Sequence, residues 1–303
     1  MPLDQQFAVR AHAKINLSLR VLGTRSDGYH ELRTIFQSIA LHDTLTIRLV
    51  RGPFRLTCDD PNCPADYTNL IWRAADAIWK AARRRGAPRD VAIALQKRIP
   101  MNAGLGGGSS DAAAALRVFA RMWGVDAPRV RAIGRGLGAD VPYFFEGGTV
   151  LGLERGDLLF PLIDRPRAWV VLVLPDFGVS TKQAFEWWDA VARVGPPYQG
   201  GHAAASGHPE RVPLRRRVAE RELVNDLERV VTDRHPAIAR IVSRLRGAGA
   251  SHAAMTGSGS TVFGLFGSER AAARAARAMA ARSRLTHLTT TLNRVQFQRL
   301  AAI

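Results

Sequence analysis

The chain has 303 residues with 47% hydrophobic content, enough to bury a sizeable core, and its length predicts about two domains. Two cysteines are too few for a disulfide framework or a complete structural zinc site, and no apolar segment approaches the ~20 residues that span a bilayer, so we expect a cytoplasmic protein without a membrane anchor. The excess of 43 basic over 26 acidic residues gives a formal charge of +17, which attracts polyanions and excludes neither phosphorylated metabolites nor nucleic acids as partners.

The first third of the chain predicts alternating strands and helices. Odd positions from Phe7 to Val21 are apolar and even positions are mostly polar, which predicts a long half-buried strand. Lys14 and Asn16 then share the face turned away from the core. Further strands are predicted at residues 45–50 and 91–95, with a helix over residues 71–82 between them.

A glycine-rich segment follows the predicted strand at 91–95. Residues 104–111 (GLGGGSSD) lead into an alanine-rich helix predicted over residues 112–122. A further helix is predicted to begin at Asp126 or Ala127 and to end near Gly136 or Gly138. Asp140 therefore lies directly after a helix, at an element boundary.

A second domain is predicted to begin near residue 160. Residues 195–217 are rich in Gly, Pro, His and Arg without periodicity, and we interpret them as an insertion. The other predicted elements are a buried strand at 168–174, a helix opened by Ser180 and Gln183 that runs through Phe185 and Trp188, a helix at 236–245 ending at Gly247, a helix at 268–279 and a closing strand at 289–297.

The glycine-rich segment is the strongest functional signal. Glycines let the backbone approach a phosphate, and the following helix offers unpaired N–H groups and a positive dipole end. Ser109 stands where a P-loop has Lys and where the dinucleotide fingerprint has its third glycine, so neither motif is matched. A flexible turn is the alternative, but four glycines and two serines at a helix start favour phosphate binding.

Residues 100–113 (PMNAGLGGGSSDAA) resemble the ATP-phosphate loop of the GHMP kinases, named for galacto-, homoserine, mevalonate and phosphomevalonate kinases. Residues 13–16 (AKIN) and 256–260 (TGSGS) resemble the same family in the expected order. The resemblance implies an α+β fold of two domains with the active site between them. Residues 1–160 would form a domain of a type also seen in a ribosomal protein, and residues 161–303 one of ferredoxin-like layering.

Other segments of the sequence resemble one branch of this family in particular. Residues 23–32 (GTRSDGYHEL), supported by 138–144 (GADVPYF) and 225–228 (NDLE), are similar to the signature of the 4-diphosphocytidyl-2-C-methyl-D-erythritol kinases. Only residues 195–217 find no counterpart. The resemblance implies ATP-dependent phosphorylation of the substrate's 2-hydroxyl in the non-mevalonate route to isoprenoid precursors. The alternatives are a GHMP kinase with another acceptor, or a basic nucleic-acid-binding protein on a related fold.

The resemblance assigns the catalytic and nucleotide-binding residues. Asp140 is implied as general base and Lys14 as the cation that keeps it ionised and holds the acceptor oxygen. From residue type alone, Asp140 would be a turn or capping residue and Lys14 a solvated strand residue. Asn69 is expected near the adenine, although helix capping explains it equally well. The other implied ATP-binding residues are Pro100, Gly104, Leu105, Gly106, Gly107, Gly108, Ser109 and Ser110.

Substrate residues are implied in the same way. Tyr29, His30 and Phe185 resemble a cytosine pocket, in which stacking on aromatic rings is worth ~1–3 kcal/mol per base. Core packing of a helix explains Phe185 as well. Asn16 is expected at the erythritol end, with Thr181 nearby.

Cofactors and partners follow from the same resemblance. Mg²⁺ is expected to bridge the phosphates of ATP, with Ser110 or Asp111 as helping ligands. We expect a small-molecule substrate, no nucleic-acid or membrane partner, and a monomer or weak dimer. The basic runs at residues 83–85 and 215–217 are short and carry no interleaved aromatic residues, as solvated faces do.

Overall fold

The protein is described by a computed structural model that covers residues 5–192, 218, 223–280 and 284–302. Two antiparallel-rich sheets with helices packed on them account for these residues. None of the helices in these ranges is long and apolar enough to cross a membrane. The predicted insertion at residues 195–217 lies outside the described part of the chain.

The first sheet is organised around one very long strand. Its strands are β1 (Gln6–Thr24), β2 (His30–Pro53), β3 (Arg55–Cys58), β4 (Arg89–Gln96), β5 (Thr149–Glu154) and β6 (Leu158–Pro161). β2 pairs with β1 along almost its whole length, whereas on its other edge it pairs with β5 through its first half and with β4 through its second. This sheet therefore branches at β2.

Three helices cover one face of this sheet, namely α1 (Leu70–Ala81), α2 (Gly107–Trp123) and α3 (Ala127–Leu137), and the short α4 (Tyr143–Glu146) follows. Apolar residues of α1 and the alanines of α2 form a core with the inward residues of β2 and β4. Small alanine side chains let α2 lie close to both β1 and α1. The start of α2, which carries the glycines, is thereby held at the edge of the sheet.

The strands of the second sheet are β7 (Trp169–Pro175), β8 (His252–Met255), β9 (Val262–Phe266) and β10 (Arg284–Thr290). Their order in the sheet is β10-β7-β9-β8, and the sheet is antiparallel throughout. The remaining helices are α5 (Thr181–Ala192), α6 (Asp226–Thr232), α7 (Pro236–Gly247), α8 (Glu269–Met279) and α9 (Arg294–Leu300).

β1 belongs to both halves of the molecule. Its Ile15 and Leu17 pack with Val170 of β7 and Phe263 of β9, while Leu19 joins the core beneath α6 and α7. The Leu19 amide also donates to the carbonyl of Val224 at 2.8 Å. The two sheets are thus joined along β1, and a cleft opens beside its polar face.

Most predicted elements are confirmed, with two differences. α2 begins at Gly107 and not at Ala112, so residues 107–111, more than half of the glycine-rich segment, are helical. The predicted closing strand at 289–297 is wrong, because the strand ends at Thr290 and residues 294–300 form α9. Asn293 caps that helix: its side chain accepts from the Gln296 amide at 2.8 Å, and the Gln296 side chain accepts from the Asn293 amide at 3.1 Å. The division of domains near residue 160 stays a prediction.

Candidate active site

The glycine-rich segment is wedged between β1 and the turn after β8. Gly106, the residue before α2, has φ +73°, and a Cβ there would lie 2.9 Å from the Phe144 ring and 3.1 Å from the side chain of Lys14. At Gly104, also at φ +73°, a Cβ would come within 2.6 Å of the Thr256 carbonyl oxygen. Both positions require glycine, for backbone conformation and for space.

α2 directs its amino terminus toward the cleft. The first N–H groups of a helix have no intrahelical acceptor, and the dipole makes this end positive. Gly104, Gly106 and Ser109 line the cleft at this point. The geometry suits an anion such as a phosphate, as the sequence predicts.

Lys14 and Asp140 meet on the floor of the cleft. The Lys14 Nζ lies 3.3 Å from Asp140 Oδ2, and the side chains are 5% and 34% exposed, so the aspartate is the member that faces the open space. Lys14 Nζ also donates to Asn16 Oδ1 at 2.7 Å. The sequence predicts that Lys14 and Asn16 lie on the face of the strand turned away from the core. The two residues do share a face, but the prediction of a half-buried strand is wrong here, because both are buried at the floor of the cleft.

Asn16 is fixed in one orientation. Its Nδ2 donates to Thr34 Oγ1 at 2.7 Å, and its backbone amide donates to Thr256 Oγ1 at 2.9 Å. Thr34 in turn donates to the Ser18 carbonyl at 2.8 Å. The Asn16 oxygen must therefore face Lys14, which holds the ammonium group beside Asp140.

The opposite end of the cleft is aromatic. The His30 and Phe185 rings are stacked with centroids 4.4 Å apart at 19°, and Trp188 contacts His30 edge-on at 5.9 Å. His30 Nε2 lies 2.9 Å from Asp189 Oδ1. Tyr29 is 57% exposed, and its ring lies 5.3 Å from the Arg155 guanidinium. Phe185 is half-buried: it stacks on His30 and lines the cleft, and it also packs against the core of the second half.

One cleft of about 730 Å³ contains both ends, a volume that suits a substrate of cofactor size. The predicted site residues that line it are Lys14, Asn16, Tyr29, His30, Gly104, Gly106, Ser109, Asp140, Thr181 and Phe185. Thr181 Oγ1 lies 2.9 Å from Ser258 Oγ, so the start of α5 contacts the turn after β8.

The other predicted site residues are not part of this lining; they are Asn69, Pro100, Leu105, Gly107, Gly108, Ser110 and Asp111. Asn69 caps α1, since its Oδ1 accepts from the Ile71 amide at 2.9 Å and its Nδ2 donates to the Pro64 carbonyl at 2.7 Å. The Leu105 carbonyl accepts from the Lys14 amide at 3.0 Å, and this hydrogen bond connects the glycine-rich segment to β1.

Comparison with known proteins identifies the family. Residues 69–148 match the family model described as "GHMP kinases N terminal domain" and residues 212–284 match "GHMP kinases C terminal". The 4-diphosphocytidyl-2-C-methyl-D-erythritol kinase of Geobacter sulfurreducens is 41% identical over 287 residues, which is 92% of this chain and 96% of that protein. The enzyme of the same name from Solibacter usitatus is 43% identical over 277 residues, 88% of this chain and 83% of that protein.

The chain belongs to the 4-diphosphocytidyl-2-C-methyl-D-erythritol kinase family.

Solved structures agree with this membership of the GHMP kinases. A crystal structure of 4-(cytidine 5'-diphospho)-2C-methyl-D-erythritol kinase superposes with a TM-score of 0.72 at 31% identity, covering 94% of this chain and 99% of that one. Homoserine kinase from Cytophaga hutchinsonii superposes with a TM-score of 0.66 at 19% identity, covering 98% of each chain, and shares the fold. The two-domain α+β fold predicted from the sequence is confirmed.

Ser110 and Asp111 do not fit direct coordination of a metal ion. The Ser110 hydroxyl donates to the His12 carbonyl at 2.7 Å, and Asp111 Oδ2 accepts from Lys97 Nζ at 2.9 Å. Both side chains are buried and neither lines the cleft. Across the part of the chain that the structure describes, no group of three or more His, Cys, Asp or Glu side chains is placed to hold a metal.

Lys97 instead forms a buried charge cluster with Asp43 and Asp111 beneath the phosphate loop. Asp43 accepts from Lys97 Nζ and from the amides of Arg98 at 2.5 Å and Ile99 at 2.8 Å. Burial opposes the charge of Lys97, but the two carboxylates outweigh it and raise the lysine pKa. Burial raises the pKa of Asp111 to about 8, against the opposing attraction of Lys97. The cluster supports the first turn of α2.

Sequence reasoning missed several residues that line the cleft, among them Asp189 and Arg155. Asp189 lies four residues after Phe185 on α5, so helical spacing could have indicated that both face His30. Arg155 follows β5 in a turn, where no periodic pattern marks it.

Proposed function

We propose that this protein transfers the γ-phosphoryl group of ATP to the 2-hydroxyl of 4-diphosphocytidyl-2-C-methyl-D-erythritol, a step toward isoprenoid precursors by the non-mevalonate route. The observation that carries the proposal is the Lys14–Asp140 pair, 3.3 Å apart, on the floor of a cleft with a phosphate-binding helix start at one side and aromatic rings at the other. Family membership supplies the substrate's identity.

The acceptor hydroxyl would bind beside Asp140. The carboxylate accepts the hydroxyl proton as the oxygen attacks phosphorus, a role that requires an ionised aspartate within hydrogen-bond reach. Lys14 is close enough to stabilise that carboxylate and the negative charge that develops on the attacking oxygen. Phosphoryl transfer otherwise needs little beyond positioning and charge compensation.

The phosphates of ATP would bind at the amino terminus of α2. Backbone N–H groups and the Ser109 hydroxyl are the donors on this side of the cleft. Mg²⁺ belongs to the proposal as an ion bound to the phosphate oxygens, because Ser110 and Asp111 offer it no oxygen at the cleft wall. When bound, it would neutralise phosphate charge.

The cytidine end would bind among Phe185, Tyr29 and His30. Phe185 already uses one face to stack on His30, so a base would stack on a ring face left open to the cleft. Arg155 supplies positive charge at this end, which suits the diphosphate that links the base to the polyol.

A coupled assay of ATP consumption tests this proposal. The protein should phosphorylate the cytidylyl substrate and leave mevalonate and homoserine unchanged. NMR of the purified product should show the new phosphate on the 2-oxygen. Turnover of mevalonate or homoserine without turnover of the cytidylyl substrate would assign the protein to another branch of the GHMP kinases.

A further inference from the structure

Asp189 holds His30 from one turn beyond Phe185 on α5. Phe185 stacks on the imidazole at 4.4 Å, and the Asp189 carboxylate lies 2.9 Å from its Nε2. The His30 and Asp189 side chains are 12% and 27% exposed, and both line the cleft. Two residues of one helix therefore fix both the plane and the rotation of this ring.

The Asp189 contact decides which nitrogen of His30 carries a proton. A carboxylate at neutral pH can only accept, so Nε2 must donate. In the neutral imidazole the other nitrogen, Nδ1, is then an acceptor. Within the described ranges Nδ1 makes no hydrogen bond of its own, which leaves it available to a ligand.

We propose that Asp189 is the positioning residue that sets base specificity, by fixing His30 in the tautomer whose Nδ1 accepts from the 4-amino group of cytosine. Uracil carries an oxygen at the same position, and two acceptors repel each other. The base of the nucleotide would thus be selected by a carboxylate that does not touch it. This inference rests on the proposed function, because it presumes that the cytidylyl end binds beside His30.

Other charges on α5 are less suited to this role. Glu186 and Lys182 also line the cleft, but they pair with each other at 3.8 Å, with side chains 56% and 86% exposed, and within the described residues neither pairs with His30. Asp189, in contrast, is within hydrogen-bond distance of His30, at 2.9 Å from its Nε2. A charge change at Glu186 is therefore a matched control for a charge change at Asp189.

The test compares kcat/KM for the cytidylyl substrate and for its uridylyl analogue in the parent, Asp189→Asn and Glu186→Gln. An asparagine can turn its amide so that the NH₂ group donates to Nε2. His30 can then adopt the other neutral tautomer, in which Nδ1 carries the proton. The cytidylyl-to-uridylyl preference should fall about tenfold or more in Asp189→Asn, since sites that hydrogen-bond a substrate group discriminate strongly. The lower preference should come from a higher KM for the cytidylyl substrate, and KM for ATP should be unchanged.

Glu186→Gln should alter the preference by less than about twofold, because exposed charges contribute little. ¹⁵N NMR of histidine-labelled protein gives a second measurement, with His30 assigned by comparison with His30→Gln. The parent should show a proton on Nε2 and none on Nδ1, and Asp189→Asn should lose that state.

The outcomes separate this inference from the proposed function. A parent that does not phosphorylate the cytidylyl substrate would overturn the function itself. A parent that does, combined with an unchanged base preference in folded Asp189→Asn or with a doubly protonated His30 in the parent, would overturn the role given to Asp189.

Discussion

Asp140 and Lys14 have different surroundings although they form one pair. Lys14 is buried and held by Asn16, whereas Asp140 lies at the end of α3 with a third of its side chain exposed. The buried cation is fixed and the carboxylate is accessible to an incoming hydroxyl. This division is what a general base and its stabilising partner require.

Replacing Asp140 by Asn should leave substrate binding intact and lower turnover. Asparagine keeps the shape but cannot take up the proton, and general-base contributions are about 10²–10⁴-fold. The measurement is kcat at saturating ATP, with fold checked by circular dichroism and binding by calorimetry. Turnover within a few-fold of the parent in a folded, substrate-binding variant would show that Asp140 is not the base.

Lys14→Met should also lower turnover, and the double variant should be little worse than the poorer single one. In the proposed mechanism the two residues act on the same oxygen, so their effects should not be additive. A double variant whose loss equals the product of the single losses would mean that the residues act independently.

Phe185→Ala should raise KM for the cytidylyl substrate about tenfold or more and leave KM for ATP nearly unchanged, because stacking on a base is worth ~1–3 kcal/mol. The matched control is Phe177→Ala, which removes a ring stacked on His235 at 4.7 Å outside the cleft. An equal rise in both KM values, or the same rise in the control variant, would contradict the assignment of Phe185 to a cytidine pocket.

At the scale of elements, the glycine-rich segment depends on glycine at particular positions, of which Gly106 is one, more than on its total glycine content. Gly106→Ala should destabilise the fold by about 2 kcal/mol or more, since φ is positive there and the Cβ would collide with Lys14 and Phe144. It should also raise KM for ATP. Urea unfolding and kinetics measure both effects.

The control for Gly106 lies in α3. Gly136 is exposed and a Cβ there would meet nothing within 4 Å, so Gly136→Ala should be neutral or stabilise by up to about 1 kcal/mol. If both variants behave alike, the collision at Gly106 is absorbed by the loop.

Elements with a clear period were predictable, and elements that depend on distant contacts were not. β1 and α1 have regular apolar spacing, and α1 and α3 have side-chain N-caps, so the existence of these elements follows from the chain alone. The first half of β2 lacks such a signal, because it is ordered by pairing with β1 and β5. The capping box that starts α9 was present in the sequence, yet the apolar residues around it also suited a strand.

The site was predictable where a motif carries it. Lys14, Asp140 and the glycine loop lie at positions that a family resemblance can assign, and the fold brings them into one cleft. Asp189 and Arg155 join the same cleft through packing of α5 and a turn after β5. Helical spacing places Asp189 on the same face of α5 as Phe185, but no local pattern marks Arg155. The stacking of His30 on Phe185 is likewise a result of tertiary packing.

At the scale of the molecule, the two halves share their hydrophobic interior. β1 runs through both, and α9, close to the end of the chain, returns to the first sheet, where Phe297 is buried against Gly147 and His12. Unfolding one half would expose apolar residues of the other. We therefore expect the described part of the molecule to unfold in a single cooperative transition.

His12 is buried in the first half and His252 is half-buried in the second, and these two histidines make that cooperativity measurable through pH. Burial lowers the pKa of His12 and of His252 from 6.5 to about 4 each, so both stay neutral when folded and take up protons below pH 6.5 when unfolded. The contribution of the neutral histidines to stability is then complete above pH 6.5 and falls as the pH drops toward 4, by about 2 kcal/mol per histidine at pH 5.

Urea unfolding at pH 7 and pH 5 should show this loss of stability in the parent, a smaller loss in His12→Leu or His252→Leu, and the smallest loss in the double variant. Additive single effects on one transition would confirm a shared unfolding unit, whereas two transitions, each sensitive to only one histidine, would show that the halves unfold separately.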